Sequence, residues 1–237
     1  MGLRGDMRIE TTSGPVSVSE LARRCETSQG LSVSVFVWTG TRFYVAKALD
    51  FRAIGQEQIF IVELDSGDRL YVSASSSFVM LNRTTKLPPE LVDGDSLLPL
   101  YTSEDAHGYP TYKEPGTTQP YKFSRLVAEW KTGQKLPPGT FVEHIDKNRK
   151  NYHPDNLQIT QNIAKASKSR SYGIIQAVED AQALFDEYDQ LGSSSASIIL
   201  KPNHRVLSVE VGHLEDVFTA TIDTADTVAV SGVFLKI

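Results

Sequence analysis

Alternation of apolar and polar positions dominates the first hundred residues. In "LSVSVFVW" (31–38) and "RFYVAKAL" (42–49) apolar residues recur at every second place or run together around Thr39-Gly40, which predicts two strands joined as a hairpin. "IFIVEL" and "RLYVSA" flank the turn "DSGD", Asp65 to Asp68, and predict a second hairpin. "LARRC", after "SVSE", reads as a short helix capped by Ser19. The stretch "SEDAHGYPTYKEPGTTQPY" (103–121) is rich in Gly, Pro and Thr without a period, and predicts a linker or loop.

The texture changes at Lys122. Phe123, Leu126, Val127 and Trp130 fall at helical spacing and the pattern stops at Gly133. Farther on, "SYGIIQAVEDAQALFDEYDQLG" places Ile174, Ile175, Val178, Ala181, Leu184, Phe185 and Tyr188 on one face of a helix ended by Gly192. Serines 193–195 form a flexible joint, after which "ASIIL", "HRVLSVEV", "DVFTATID" and "VAVSGVFLKI" return to strand texture. The short terminal strands need partners from the N-terminal part. A β domain interrupted by an insertion is therefore expected, divided as 1–104, 105–192 and 193–237.

Composition narrows the class. The chain has 237 residues, 40% hydrophobic and 22% charged, enough for one large domain or two small ones with a real core. No apolar run reaches the roughly 18–20 residues of a membrane span and "MGLRGDMRIE" lacks a signal-peptide core, so a cytoplasmic protein with no membrane contact is expected. Cys25 stands alone, which leaves no disulfide framework and no multi-cysteine zinc site; it reads as a small buried apolar residue. The net charge of −5 argues against non-specific nucleic-acid binding by the whole molecule. Between Lys122 and Arg170, however, ten Lys or Arg face four Asp or Glu, so this segment carries +6 and the remainder −11. One segment is suited to a polyanion.

Within it lies "EHIDKNRKNYHPDNLQIT", Glu143 to Thr160. Glu143 offers hard oxygens for a cation such as Mg²⁺. His144 can take a proton near neutral pH, and the Asn156 amide can hold an imidazole in one orientation. Arg149, Lys150, Lys165, Lys168 and Arg170 can hold phosphates on either side. A metal and a histidine that activates water are a sufficient kit for cutting a phosphodiester. Neighbours on a regular strand point to opposite faces, so Glu143 and His144 can reach one phosphate only at a strand end or bulge. The bland alternative is a solvated basic loop followed by a helix capped near Asp155.

This stretch resembles the HNH endonuclease motif without a gap from Val142 to Thr160, and "YKFSRLVAEWKTGQKLPPGTFV" resembles the segment leading into it in phage homing enzymes. The resemblance implies an α+β HNH (ββα-metal) module acting on double-stranded DNA. Glu143 would be a metal ligand, His144 the general base and Asn156 the residue orienting it, with Asp146 and Asn151 shaping the loop. One Mg²⁺ or Mn²⁺ per active site is implied. Ala164 fills the place expected for a second ligand, and Asn162 is the nearest substitute. His153 reads as exposed, and His107 has no visible partner.

The flanks resemble a mainly β Hint domain of the intein and hedgehog type. "GLRGDMRIETTSGPVSVSEL" is similar to the opening block, "DSGDRLYVSASSSFVMLN" with "LVDGDSLLPLY" to the second, and "NHRVLSVEVGHLEDVFTATIDTADTVAVSGVFLKI" to the closing block. The splicing residues are replaced throughout. Gly2 stands at the nucleophile and has no side chain to attack. Ser73 and Ser76 bound the place of Thr-x-x-His, so no imidazole is present there, and Lys236-Ile237 closes the chain in place of His-Asn. His204 and His213 lie off the splicing positions and read as structural. Loss at so many places favours natural decay over an engineered trap, and the start at Met1 suits a free-standing protein.

The expectation is thus a homing-type HNH DNA endonuclease on a splicing-inactive Hint scaffold, with no protein partner. An inactive or engineered splicing element and a DNA-binding module with a dead HNH site stand as alternatives.

Overall fold

The computed structural model describes residues 2–28, 30–114, 117, 119–161 and 204–237. The 171–192 helix and the "ASIIL" strand expected from the sequence lie outside them, as do Asn162, Lys165, Lys168 and Arg170.

The scaffold is one 11-stranded sheet assembled from both ends of the chain. Its spine is the 22-residue strand Phe43–Leu64. Ser32–Trp38 pairs along its first part through the Thr39-Gly40 turn, and Arg69–Ser73 along its last part. The 17-residue strand Val206–Ile222 runs antiparallel to the spine from Val206↔Leu64 to Ile222↔Ala48. "HRVLSVEV" and "DVFTATID" are thus one strand. Register shifts, among them one between Val211 and Leu214, bend the ribbon where the pattern falters. "VAVSGVFLKI" is a hairpin, Thr227–Val230 with Val233–Lys236, turned at Ser231-Gly232, and it pairs with Arg8–Thr11 on one side and Ser77–Val79 on the other. The terminal strands therefore fill the sheet that the first hundred residues leave open.

The early helix spans Val18–Thr27 and its cap is Ser17, not Ser19: the extended Ser17 accepts from the Glu20 N–H at 3.4 Å. It covers the sheet with Val18, Leu21 and Ala22.

The supposed linker is structured. Tyr101–Glu104, Pro110–Lys113 and Tyr121–Lys122 form a separate three-stranded sheet. Its strands are too short to show a period, and Asp105 builds the turn: its side chain accepts from the N–H groups of His107 and Tyr109, both at 2.9 Å. The helix Phe123–Thr132 follows and ends at Gly133, whose left-handed φ of 69° suits glycine. Thr140–His144 and Leu157–Gln161 then form a two-stranded antiparallel hairpin.

A single aromatic cluster joins this middle part to the scaffold. Phe36, Trp38, Phe43 and Phe234 of the sheet are buried with Leu98, Tyr112, Phe123, Leu126, Val127 and Leu157. Phe123 lies 4.8 Å from Phe36 and stacks on Tyr152 at 5.2 Å and 13°. Glu10, on the sheet strand Arg8–Thr11, is close enough to Tyr152 for its charge to raise the phenol, after burial, to about 12. Burial pushes Glu10 itself up to about 7, against the opposing charge of Arg8.

A carboxyl whose folded value exceeds its unfolded one is unfavourable once the unfolded chain ionises. This cost is absent below pH ~4, grows as pH rises through the carboxylate range, and is complete above about 7. Glu10→Gln should therefore raise the melting temperature at pH 8 and leave it nearly unchanged at pH 4. Thermal denaturation of both proteins across that range measures it.

Candidate active site

The Thr140–His144 strand alternates by burial: Thr140 and His144 are buried, while Phe141 and Glu143 are exposed. Pairing is unbroken, Glu143 opposite Gln158 and His144 opposite Leu157, so no bulge turns one side chain toward the other. His144 is the last paired residue and only 4% exposed. Glu143 and His144 thus lie on opposite faces of the hairpin.

His144 faces the three-stranded sheet, where the Tyr109 ring lies 5.9 Å away. Its Nε2 is the one buried side-chain polar atom without a hydrogen-bond partner among the described residues. Leaving such a group unpaired costs about 1–3 kcal/mol, and an atom kept in that state is a candidate for chemistry. Burial pushes the imidazole below its ordinary value; Asp146 opposes this, and Arg149 and Lys122 add to it. Burial thus favours the neutral ring, the form a proton acceptor needs.

The loop after the strand is built on Asp146. Its carboxylate accepts from the Asn148 N–H at 2.8 Å and from the amides of Asn151 and Asn156 at 2.7 and 2.8 Å. Asn156 also donates to the Asn151 carbonyl at 2.7 Å and accepts from the Asp146 N–H at 3.0 Å. None of these bonds reaches His144. The link from Asn156 to the imidazole runs through the backbone, where the Ile145 N–H donates to the Asn156 carbonyl at 2.8 Å.

Many cations of the basic segment are engaged within the protein. Arg125 donates to the carbonyls of Leu136, Pro137 and Thr140, and Lys131 to that of Pro154 at 2.7 Å. Arg149 donates to the His107 carbonyl, and Lys150 pairs with Glu104 at 2.8 Å. Lys122, absent from the sequence expectation, pairs with Asp105 at 2.8 Å and lies 3.9 Å over the Tyr109 ring. Its place at the end of a two-residue strand gives no signal of this role. His153 caps the short turn Pro154–Asn156 by accepting from the Asp155 N–H at 3.3 Å.

The described residues contain no group of three or more His, Cys, Asp or Glu that could hold a metal ion. Glu143 fits as one hard-oxygen ligand, but a lone carboxylate is not a cation site, and the candidate second ligand Asn162 lies outside the described residues.

At the other end of the scaffold, Gly2 is buried between two serines. Its N–H lies 2.9 Å from Ser73 Oγ and 3.0 Å from Ser76 Oγ. The Gly2 carbonyl accepts from Ser76 Oγ at 2.9 Å and from the Ser73 N–H at 2.8 Å. Lys236 pairs opposite Ser77, so the chain's end reaches the same corner. Gly2, Ser73, Ser76, Lys236 and Ile237 are therefore neighbours by topology. A Cβ on Gly2 would lie 2.8 Å from Val217 Cβ and 2.9 Å from its Cγ2: the space for a side chain is already filled.

The fold is that of inteins. The chain is similar to a DnaB intein from Synechocystis sp. PCC 6803, with a TM-score of 0.50, 10% identity, and 99% of this chain and 96% of that one covered. It is similar also to an Ssp DnaB mini-intein variant at 0.50 and 10%, covering 99% and 92%. Residues 121–162 match the HNH endonuclease family. No curated protein matches the chain. The molecule thus has an intein-like Hint fold, and a segment in its middle matches the HNH endonuclease family. No helix among the described residues is long and apolar enough to cross a membrane.

Two outcomes follow from the geometry. Gly2→Cys should destabilise the protein by about 1–3 kcal/mol through overpacking, and adding Val217→Ala should recover part of the loss; urea unfolding compares the three proteins. Asn156→Ala removes three side-chain bonds of the loop and should cost about 1–3 kcal/mol, with faster amide exchange at Asp146 as its local sign.

Proposed function

We propose that this protein is a homing-type HNH endonuclease that hydrolyses double-stranded DNA, carried on a Hint scaffold that no longer splices. The observation that carries the reading is the buried, unpaired Nε2 of His144 at the end of the hairpin inside the HNH match. A neutral Nε2 can accept the proton of a water attacking phosphorus, as the phosphodiester's P–O bond to the leaving oxygen breaks. Asn156 is the positioning residue, acting through the Ile145–Asp146 backbone. Arg149, Lys150, Lys165, Lys168 and Arg170 are proposed to hold the DNA backbone. A divalent cation, Mg²⁺ or Mn²⁺, one per site, belongs to this reading with Glu143 and Asn162 as its ligands. No step is assigned to it, because the described residues do not complete its site.

The divergence of Glu143 and His144 favours a second reading, a DNA-binding module whose HNH site is dead. Splicing loss is supported by the absence of a side chain at Gly2, of an imidazole at Ser76 and of a cyclising residue at Ile237.

Incubation with a plasmid library in Mg²⁺ or Mn²⁺ tests the first reading. Nicked or linear products are expected, reduced at least a hundredfold by His144→Ala, in the range of a lost general base. An intact pool with salt-sensitive DNA binding would select the second reading. Splicing is tested between host flanks with Cys at 2, His at 76 and Asn at 237, together with Val217→Ala to admit the cysteine. Spliced product would mark the chain as a repairable intein; none is expected.

A further inference from the structure

His144 cannot meet a phosphate in this conformation, because it is 4% exposed, and the ring of Tyr109, at the end of one loop, lies 5.9 Å from its own. That loop, Asp105–Tyr109, together with Glu104 at the end of the strand before it, is fastened by three cations of the basic segment. Glu104 takes Lys150 and Asp105 takes Lys122, each at 2.8 Å, while the His107 carbonyl accepts from Arg149. The Tyr109 ring is close to the imidazole and to two cations, with Lys122 Nζ 3.9 Å and the Arg149 guanidinium 4.8 Å from its ring centre. Every fastening runs from an anionic or electron-rich group on the loop to a cation within the segment that matches the HNH family. These are the partners that a DNA backbone would otherwise supply.

We propose that Glu104–Tyr109 is a displaceable cap, whose two carboxylates hold Lys150 and Lys122 in place of two DNA phosphates until duplex binding frees both cations and uncovers His144. Lys122 thereby joins Arg149 and Lys150 in the phosphate-binding surface. The inference rests on the DNA-cleaving reading above.

The fastenings suit a cap that opens. The Lys150 and Glu104 side chains are 68% and 52% exposed, and exposed ion pairs hold weakly and are screened by salt. The cap itself is a stable turn, since Asp105 Oδ1 accepts from His107 and Tyr109 while Oδ2 alone faces Lys122. It can therefore move as a unit. The division also allows a clean variant: Asp105→Asn keeps the Oδ1 acceptor and removes only the charge.

The test uses the full chain, a fluorescein-labelled mixed-sequence DNA duplex and a salt series, comparing the wild type with Glu104→Gln/Asp105→Asn. In the wild type the two lysines exchange carboxylates for phosphates and release few counterions. In the variant each new phosphate contact releases them, so the plot of log affinity against log salt should steepen by up to about 0.9 per contact. Binding at low salt should tighten at least about threefold, from the same loss of competition. Equal or weaker binding by the folded variant overturns the cap and leaves the nuclease reading standing. No duplex binding by either protein at low salt overturns both. Should the double variant fail to fold, Glu104→Gln alone, at an exposed side chain, is read the same way with about half the change in slope.

Discussion

Phe36 projects from the large sheet to within 4.8 Å of Phe123, and Phe123 lies flat on Tyr152. These three rings come from the scaffold, the middle helix and the loop after His144. Their burial is the constraint on which the rest of the arrangement depends. Aromatic side chains bury some 150–250 Å² each and dominate the energetics of the interfaces they enter. Without this cluster the short middle sheet and the two-stranded hairpin would have no core, since an isolated hairpin is marginal in water. The HNH segment is therefore not a module on a tether. It shares its hydrophobic interior with the Hint sheet, and the scaffold stays necessary whether or not it splices.

The corner around Gly2 obeys a similar rule. Ser73 and Ser76 are fully buried, and both their hydroxyls and the Gly2 peptide groups find partners in one another. A buried polar cluster that is fully satisfied stabilises the fold; one left half-paired would weaken it. With Val217 occupying the room next to Gly2, the corner is closely packed. His144 is the counter-example, a buried nitrogen left unpaired.

Charge has a different meaning in the fold from its meaning along the chain. A surplus of +6 between Lys122 and Arg170 signals a polyanion partner, yet Lys122, Arg125, Lys131, Arg149 and Lys150 all meet carbonyls or carboxylates of the same protein. Arg125 and Lys131 are ties between the helix and the hairpin. Lys122 and Arg149 lie over the Tyr109 ring, and with Lys150 they find their partners between Glu104 and Tyr109.

Much of the frame is legible in the sequence, because local periodicity and turn chemistry dictate it. The Thr39-Gly40 and Asp65–Asp68 hairpins, the helix ending at Gly133 and the ungapped HNH text all depend on residues close together in the chain. Strand continuity was not legible: "IFIVEL" is the end of a 22-residue spine, since a bulged strand loses its period without losing its partner. The sheet within 101–122 was missed for the same reason, as two- to four-residue strands show no alternation. By itself the sequence determined which chemical groups are present at positions 143–160 and which are missing at 2, 76 and 237. Only the tertiary structure decided that Glu143 and His144 face apart, that Asn156 serves the loop, and that Val217 fills the place beside Gly2. Those outcomes turn on which side of a paired strand meets a distant core, and no local pattern encodes that.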